Sequence, residues 1–401
     1  MPARPPRVLA PSDLGAGTSG RVFVGGRVVH ADDASLTLAD AFALVRVEGP
    51  ALDASIGELL VVRGAYVGGR ITRARIVERA AGAEPHADGD FARLTFSERG
   101  RNLRQRAMAL AAVREYFAAE KFVEVATPFR VRAPGVDANV DALRAEGGYL
   151  ITSPELHLKR LLVGGMPRIF EVARVSRADE SGTLHEPEFT LLEWYRSFAD
   201  QAEIRADTEA IVARVARAVS GKDRLITPDG RTLSTRRPFP SISVNDAFRR
   251  YANVRDASAL AEHNEAHYFE LLVSRVEPAL ATFDRPVFLC DYPRSQAALA
   301  RLSPTDPSVG ERFELYAGGV ELSNGYGELT DPVEQERRFV AERARRRAEK
   351  RRVYPLDRRF LAALREGMPR ASGNALGFDR LLMLALGAKS IADVVAFSAR
   401  T

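Results

Sequence analysis

Residues 311–331 read ERFELYAGGVELSNGYGELTD, with Glu314, Glu321 and Glu328 at seven-residue spacing around a Gly318-Gly319 pair. Two apolar-rich runs flanking a Gly-Gly pair predict a β-hairpin. Carboxylates at this density are a poor choice for a sheet core unless they hold something cationic. The chain therefore needs a sheet with one polar, ligand-facing surface. Pairing across a two-residue turn puts Glu314 opposite Ser323 and Glu321 opposite Tyr316. Glu314 and Glu321 then share a face as diagonal neighbours, about 7–8 Å apart at the backbone. Such an oxygen-only pair suits Mg²⁺, with substrate phosphates completing the shell. Glu328 has the wrong parity unless Gly325 or Gly327 carries a bulge that re-aims it. There it would suit a cationic substrate group such as an amine. The plainer alternative is three glutamates on an exposed sheet face.

A second hairpin carries complementary chemistry. RIFEVARVSRADESGTLHEPEFTLLEWYR, residues 168–196, reads as two strands around a loop. Parity places Arg177 and Asp179 on one face of the first strand. Phe189, Leu191, Glu193 and Tyr195 share a face of the return strand. A guanidinium for phosphate thus accompanies a ring for stacking a base, a carboxylate and a phenol. His185 in the loop is placed to reach a second phosphate. Residues 367–388 read as strand, Gly turn and apolar helix. Gly373 and Gly377 permit close backbone approach, and Arg380 falls in the first helical turn, where a phosphate also meets the helix N-terminus.

Between these segments the elements mix without βαβ regularity, which predicts an α+β domain with an antiparallel sheet. A long amphipathic helix is expected over about 98–119, from Leu103, Ala107, Leu110, Val113 and Phe117. The charged run DPVEQERRFVAERARRRAEKRR predicts a helix with a solvated face. Residues 1–20 look like a flexible Pro/Gly/Ser tail, and 21–80 contain five short strands with turn signals, the pattern of a small OB-like β-barrel. Residues 81–94 read as a linker, and 95–401 as the catalytic domain. One cysteine, Cys290, excludes an internal disulfide framework and any multi-cysteine metal site. No signal peptide or apolar run of about 18 residues appears, which predicts a cytoplasmic protein without a membrane span. The +5 charge admits an acidic protein, a nucleotide or RNA as partner and selects none of them.

Taken in order, these segments resemble the three motifs of the class II aminoacyl-tRNA synthetases. The 98–119 helix with KFVEVATP is similar to the first, 168–196 to the second and 373–384 to the third. The resemblance covers about 95–401 and implies a class II antiparallel sheet flanked by helices, bent ATP, activation of an amino acid as its adenylate, and a homodimer. ITSPELHLKRLLVGG, HEPEFTLLEWY, ERFELY and ELSNGYGEL are similar to the lysine branch. That likeness implies Glu314 and Glu321 on Mg²⁺, Glu328 and Tyr195 on the substrate ε-ammonium, Glu155 on the α- or β-amine and Asn324 on the carboxylate. It further implies Arg177 on the α-phosphate, His185 on the β-phosphate, Arg380 on the γ-phosphate and Phe189 on adenine. Ser153, Pro154, Glu193 and Ala375 would complete the amino-acid site, and Asp179, Glu186, Leu322 and Gly377 the ATP site.

Within this branch DYPRSQAALARL, SGNALGFDR and EWY resemble the ligases that attach (R)-β-lysine to a lysine of elongation factor P. Ala375 stands where lysyl-tRNA synthetases carry Gly, and a methyl-sized difference in a tight pocket is worth about 1–3 kcal/mol of discrimination. The motif that usually reads Phe-Arg-x-Glu is Ser176-Arg177-Ala178-Asp179 here, with Glu180 as a substitute carboxylate. The resemblance implies an ATP-dependent ligase with elongation factor P as acceptor and lysine or (R)-β-lysine as substrate. A tRNA-charging paralogue, with tRNA as the weaker candidate partner, and a non-catalytic regulator are the alternatives.

Overall fold

The computed structural model describes residues 7–135 and 140–399. The chain divides into two compact units, 1–104 and 105–401.

In the first unit five strands close on themselves: β1 Gly20–Ala31, β2 Ser35–Ala39, β3 Leu44–Glu48, β4 Leu59–Val67 and β5 Arg70–Ala80. Their neighbours run β1-β2-β3-β5-β4 and back to β1, the order of an OB barrel. Alternation puts Val22, Val24, Val28, Leu36, Leu38, Val45, Val47, Leu60, Val62 and Ile71 inside. Within the segment expected to be a flexible tail, residues 1–6 lie outside the described residues. Val8–Leu9 pairs in parallel with β1, so a Pro-rich composition concealed an ordered strand.

The second unit is built on an eight-stranded sheet. Its strands are β6 Val123–Glu124, β7 Arg168–Ser176, β8 Glu188–Ser197, β9 Ser241–Ser243, β10 Val287–Pro293, β11 Val309–Ala317, β12 Val320–Gly327 and β13 Ala371–Gly377. They lie in the order β9-β10-β11-β12-β13-β8-β7-β6, and the six central strands are antiparallel. Helix α1 (Glu98–Ala119), α3 (Gln201–Ser220) and α6 (Phe378–Leu386) pack on one face through Val113, Phe117, Ile211, Val215, Leu381 and Leu382, against Trp194, Phe313 and Leu376. Asp200 caps α3 by accepting from the N–H groups of Ala202 and Glu203. Helix α2 (Glu155–Val163) and α5 (Arg358–Gly367) form a separate apolar cluster with Tyr195 and Ile169. The remaining central part of that second face is open and polar.

Helix α4 (Pro332–Ala348) forms with its expected solvated face, Arg337 and Arg347 being exposed, but it also turns two arginines inward. Arg338 is buried and donates to the carbonyls of Ala297 (2.5 Å) and Ala300 (2.8 Å). Arg346 is also buried, pairs with Asp141 and donates to the carbonyls of Val140 (3.1 Å) and Arg352 (2.6 Å). A guanidinium has enough donors to collect carbonyls that no helix or strand satisfies. Charge density along a helix cannot separate that use from solvation.

Candidate active site

The open face of the central sheet floors a cavity of about 540 Å³. Its position follows from strand register. Across β8, β13, β12 and β11 one row runs Glu193, Ala375, Asn324, Glu314, and the next runs Tyr195, Gly373, Tyr326, Arg312. The register is not the regular one expected from the Gly318-Gly319 turn. Tyr316 does face Glu321, but Glu314 faces Asn324 rather than Ser323. A bulge supplies the difference: Leu322 is the extra, unpaired residue between Glu321 and Ser323; it and Ser323 are both buried, Leu322 within the core cluster, while both also border the cavity. The bulge sits at Leu322, not at Gly325 or Gly327. After it, Asn324, Tyr326 and Glu328 have the same parity as Glu321.

At one end of the cavity Glu193 is 1% exposed and accepts from Tyr195 OH at 2.6 Å and Ser153 Oγ at 2.7 Å. Burial first, then the nearby Glu155, push its carboxyl up to about 8. Pro154 is the N-cap of α2 and Ser153 Oγ accepts from the Glu155 N–H (3.1 Å), so the helix start aims Glu155 into the cavity. Glu328 is expected on the substrate amine. It is fully buried and does not line the cavity, and its carboxylate pairs at 2.5 Å with Lys159. Glu193 takes the cavity-facing position beside Tyr195. Asn324 accepts from Arg312 Nε at 3.3 Å through Oδ1, which leaves its amide N–H₂ as the donor. Ala375 stands between Glu193 and Asn324 on the floor.

The other end is cationic. Arg177 lies over the Phe189 ring at 5.1 Å and 3.7 Å from Glu180. Asp179, expected to share its face, does not: β7 ends at Ser176, Asp179 turns at φ 62° and stays outside the cavity. Glu180 is the carboxylate that accompanies the arginine. Arg380 donates to the Leu184 carbonyl (3.2 Å), the Glu321 carbonyl (2.9 Å) and His185 Nε2 (2.6 Å). One guanidinium therefore ties α6, β12 and the loop between β7 and β8. Burial and Arg380 hold the His185 ring below its ordinary pKa, consistent with a neutral ring that accepts at Nε2. Glu186 lines the cavity while accepting from Ser398 Oγ (2.7 Å) and the Ala399 N–H (3.0 Å). Gly377 lies opposite Leu191, and a Cβ there would meet Arg380 Cδ at an ordinary 3.5 Å.

Glu321 keeps 42% of its side chain open, and burial within the cleft followed by Glu314 pushes its carboxyl up to about 7. Glu314 accepts from Arg312 Nη2 (2.5 Å), Tyr292 OH (2.5 Å) and Tyr316 OH (2.8 Å). Among the described residues no cluster of three or more metal-ligating side chains occurs. A cation here would have the two glutamates plus oxygens from a bound substrate. That donor set fits Mg²⁺, and the repulsion that raises Glu321 is what a cation would relieve.

Sequence reasoning missed two residues. Arg312 lies two positions before Glu314, so its parity was readable. Lys159 lies four positions after Glu155 on one helix, the spacing of an ion pair.

A sequence profile described as "tRNA synthetases class II (D, K and N)" matches residues 85–401. The chain is similar to the elongation factor P–(R)-β-lysine ligase of Edwardsiella ictaluri (strain 93-146), 38% identical over 317 residues, covering 74% of this chain and 94% of that one. The enzyme of the same name from Photorhabdus laumondii subsp. laumondii is equally similar, 38% identical with the same coverage. Both fold and sequence lead to one statement: this chain belongs to the class II tRNA synthetase family (D, K and N).

Proposed function

We propose that this chain is an AMP-forming protein ligase. It activates lysine or (R)-β-lysine as an adenylate and transfers the acyl group to the ε-amine of a lysine in elongation factor P. The observation that carries the reading is the cavity end where Glu155, Glu193, Tyr195 and Asn324 converge. Two carboxylates there suit two ammonium groups, and an amide donor suits a carboxylate. The similar ligases are named for (R)-β-lysine and elongation factor P, which supplies the acceptor and favours the β isomer. Family membership implies use of ATP.

In this reading Glu193 and Tyr195 hold the terminal ammonium, Glu155 the inner amine and Asn324 the carboxylate. Phe189 stacks on adenine once Arg177 moves to the α-phosphate. His185 offers its Nδ1–H to the β-phosphate, and Arg380 faces the γ-phosphate. Glu321 and Glu314 would hold Mg²⁺, which neutralises charge on the phosphate oxygens when bound. A substrate carboxylate oxygen attacks the α-phosphorus and pyrophosphate leaves. The neutral acceptor amine then attacks the adenylate carbonyl and AMP leaves. Arg177 and Arg380 stabilise charge that grows on the transferring group, and no side chain forms a covalent intermediate. Positioning supplies the rest of the acceleration. The protein acts as a cytoplasmic homodimer; no described helix is long and apolar enough to cross a membrane.

ATP–pyrophosphate exchange tests the activation step. Exchange should appear with lysine or (R)-β-lysine and not with norleucine, which lacks the terminal amine. Absence of exchange with every diamino acid would favour the non-catalytic alternative. A tRNA-charging reading has one observation in its favour, the closed OB-type barrel. Charging of tRNA with lysine, without modification of the factor, would establish it.

A further inference from the structure

Arg312 on β11 stands two residues before Glu314, and its guanidinium donates in three directions. Nη2 donates to Glu314 Oε1 at 2.5 Å, Nε to Asn324 Oδ1 at 3.3 Å, and Nη1 to the Gln296 carbonyl. The guanidinium also lies over the Tyr292 ring, 4.4 Å from its centre. Its partners are themselves held. Glu314 Oε2 accepts from Tyr292 OH and Tyr316 OH. Gln296, in the loop after β10, donates through Nε2 to Glu265 at 2.7 Å, and Arg345 of α4 donates to the same carboxylate at 2.9 Å. A planar fork gripped on three sides keeps one orientation. Among the described residues Arg312 alone hydrogen-bonds the Asn324 side chain. An amide can present its carbonyl edge or its N–H₂ edge, and the partner it meets decides which. With Oδ1 taken by Arg312, the N–H₂ edge is left for a ligand. The reverse orientation would turn a lone pair toward a substrate carboxylate and repel it.

We propose that Arg312 is a positioning residue for recognition of the substrate carboxylate: anchored on Glu314 and the Gln296 loop, it fixes the Asn324 amide with its N–H₂ edge toward the ligand. The inference rests on the proposed amino-acid site and deepens it by naming the residue that controls the carboxylate end. A ligand without a carboxylate should be indifferent to Arg312. Cadaverine (1,5-diaminopentane) is such a ligand, since it is lysine without that group and keeps both amines.

Arg312→Lys is the working variant, because it keeps a cation on Glu314. Its ammonium follows that carboxylate and cannot also reach Asn324 and Gln296 as the fork does. The thermal midpoint is measured first. KM values for lysine, (R)-β-lysine and ATP are then taken by pyrophosphate exchange, and cadaverine is titrated as a competitive inhibitor against lysine. The expected result is a folded protein in which both lysine isomers weaken about tenfold, the size of one hydrogen bond to a charged group. ATP and cadaverine should shift by less than about twofold, because neither meets Asn324 through a carboxylate. A double-variant cycle with Asn324→Ala separates an action through the amide from any other. Once the amide is gone, Arg312→Lys should weaken lysine by less than about a further twofold. A full added loss in that background, equal weakening of cadaverine, or no weakening of lysine at all would overturn the proposal. If Arg312→Lys does not fold, Arg312 serves the fold first, and the proposal is likewise overturned. Wild-type protein that exchanges pyrophosphate with no diamino acid would overturn the proposed function itself, and this inference with it. A lysine-dependent wild type with any of the contrary results in the variants would overturn the role of Arg312 alone.

Discussion

Glu193 shows how much of the site is decided by a single side chain's surroundings. Its carboxyl, pushed up to about 8 by burial and Glu155, keeps a proton that the unfolded chain has already released. Between the ordinary carboxylate value and about 8 the folded state binds more protons, so this group's contribution to stability falls as pH rises. An ammonium beside Glu193 reverses the preference and drives the proton off. Binding of a lysine isomer at about pH 7 should therefore release close to one proton, fading above about pH 9. Calorimetry in two buffers of different ionisation enthalpy reads this directly, and zero release would remove Glu193 from the amine. Tyr195 and Ser153 hold Glu193 by donating to it. Tyr195→Phe should raise the amino-acid KM about tenfold through one lost hydrogen bond, with the ATP KM little changed. Steady-state kinetics with each substrate varied separates the two. Glu193 was legible in sequence as a residue on the Tyr195 face. That Glu328 is buried against Lys159 of α2 was not, because an ion pair between residues so far apart in sequence leaves no local pattern.

Among the elements, β12 carries the lesson on register. Period-two alternation placed Glu314 and Glu321 on one face, and the structure does bring both to the cavity. The same alternation failed three residues later because the bulge at Leu322 reverses parity. Bulges leave only a weak mark in sequence, and the glycines nearby pointed to the wrong position. Those glycines serve packing. A Cβ on Gly325 would lie 2.3 Å from the Phe313 ring on the core side. A Cβ on Gly373 would lie 2.3 Å from the Tyr195 ring on the cavity side. Gly325→Ala should thus lower stability by about 1–3 kcal/mol, the cost of overpacking, read by chemical denaturation. Gly373→Ala should instead displace Tyr195 and raise the amino-acid KM more than it lowers the thermal midpoint. Equal effects on both readouts in both variants would contradict the assignment of the two faces.

Over the whole molecule, composition and turn spacing made the barrel readable, since five short alternating strands in sixty residues leave few other closures. The expected start of the catalytic domain at residue 95 falls between the start of the family match at 85 and the division of the chain after 104. The helix α1 crosses that division, which is why no linker composition marks it. The relatives are covered over 94% of their length by 74% of this chain. A chain of residues 85–401 should therefore fold and retain lysine-dependent pyrophosphate exchange, and loss of exchange in a folded truncation would assign the barrel a part in catalysis. The most direct test of the whole account is intact mass of the acceptor. Full-length protein, ATP, Mg²⁺ and either lysine or (R)-β-lysine are incubated with elongation factor P from the same source, and in parallel with its tRNA. The account predicts a mass gain of one lysyl unit on the factor, larger with the β isomer, and uncharged tRNA. Charged tRNA with an unmodified factor would contradict it.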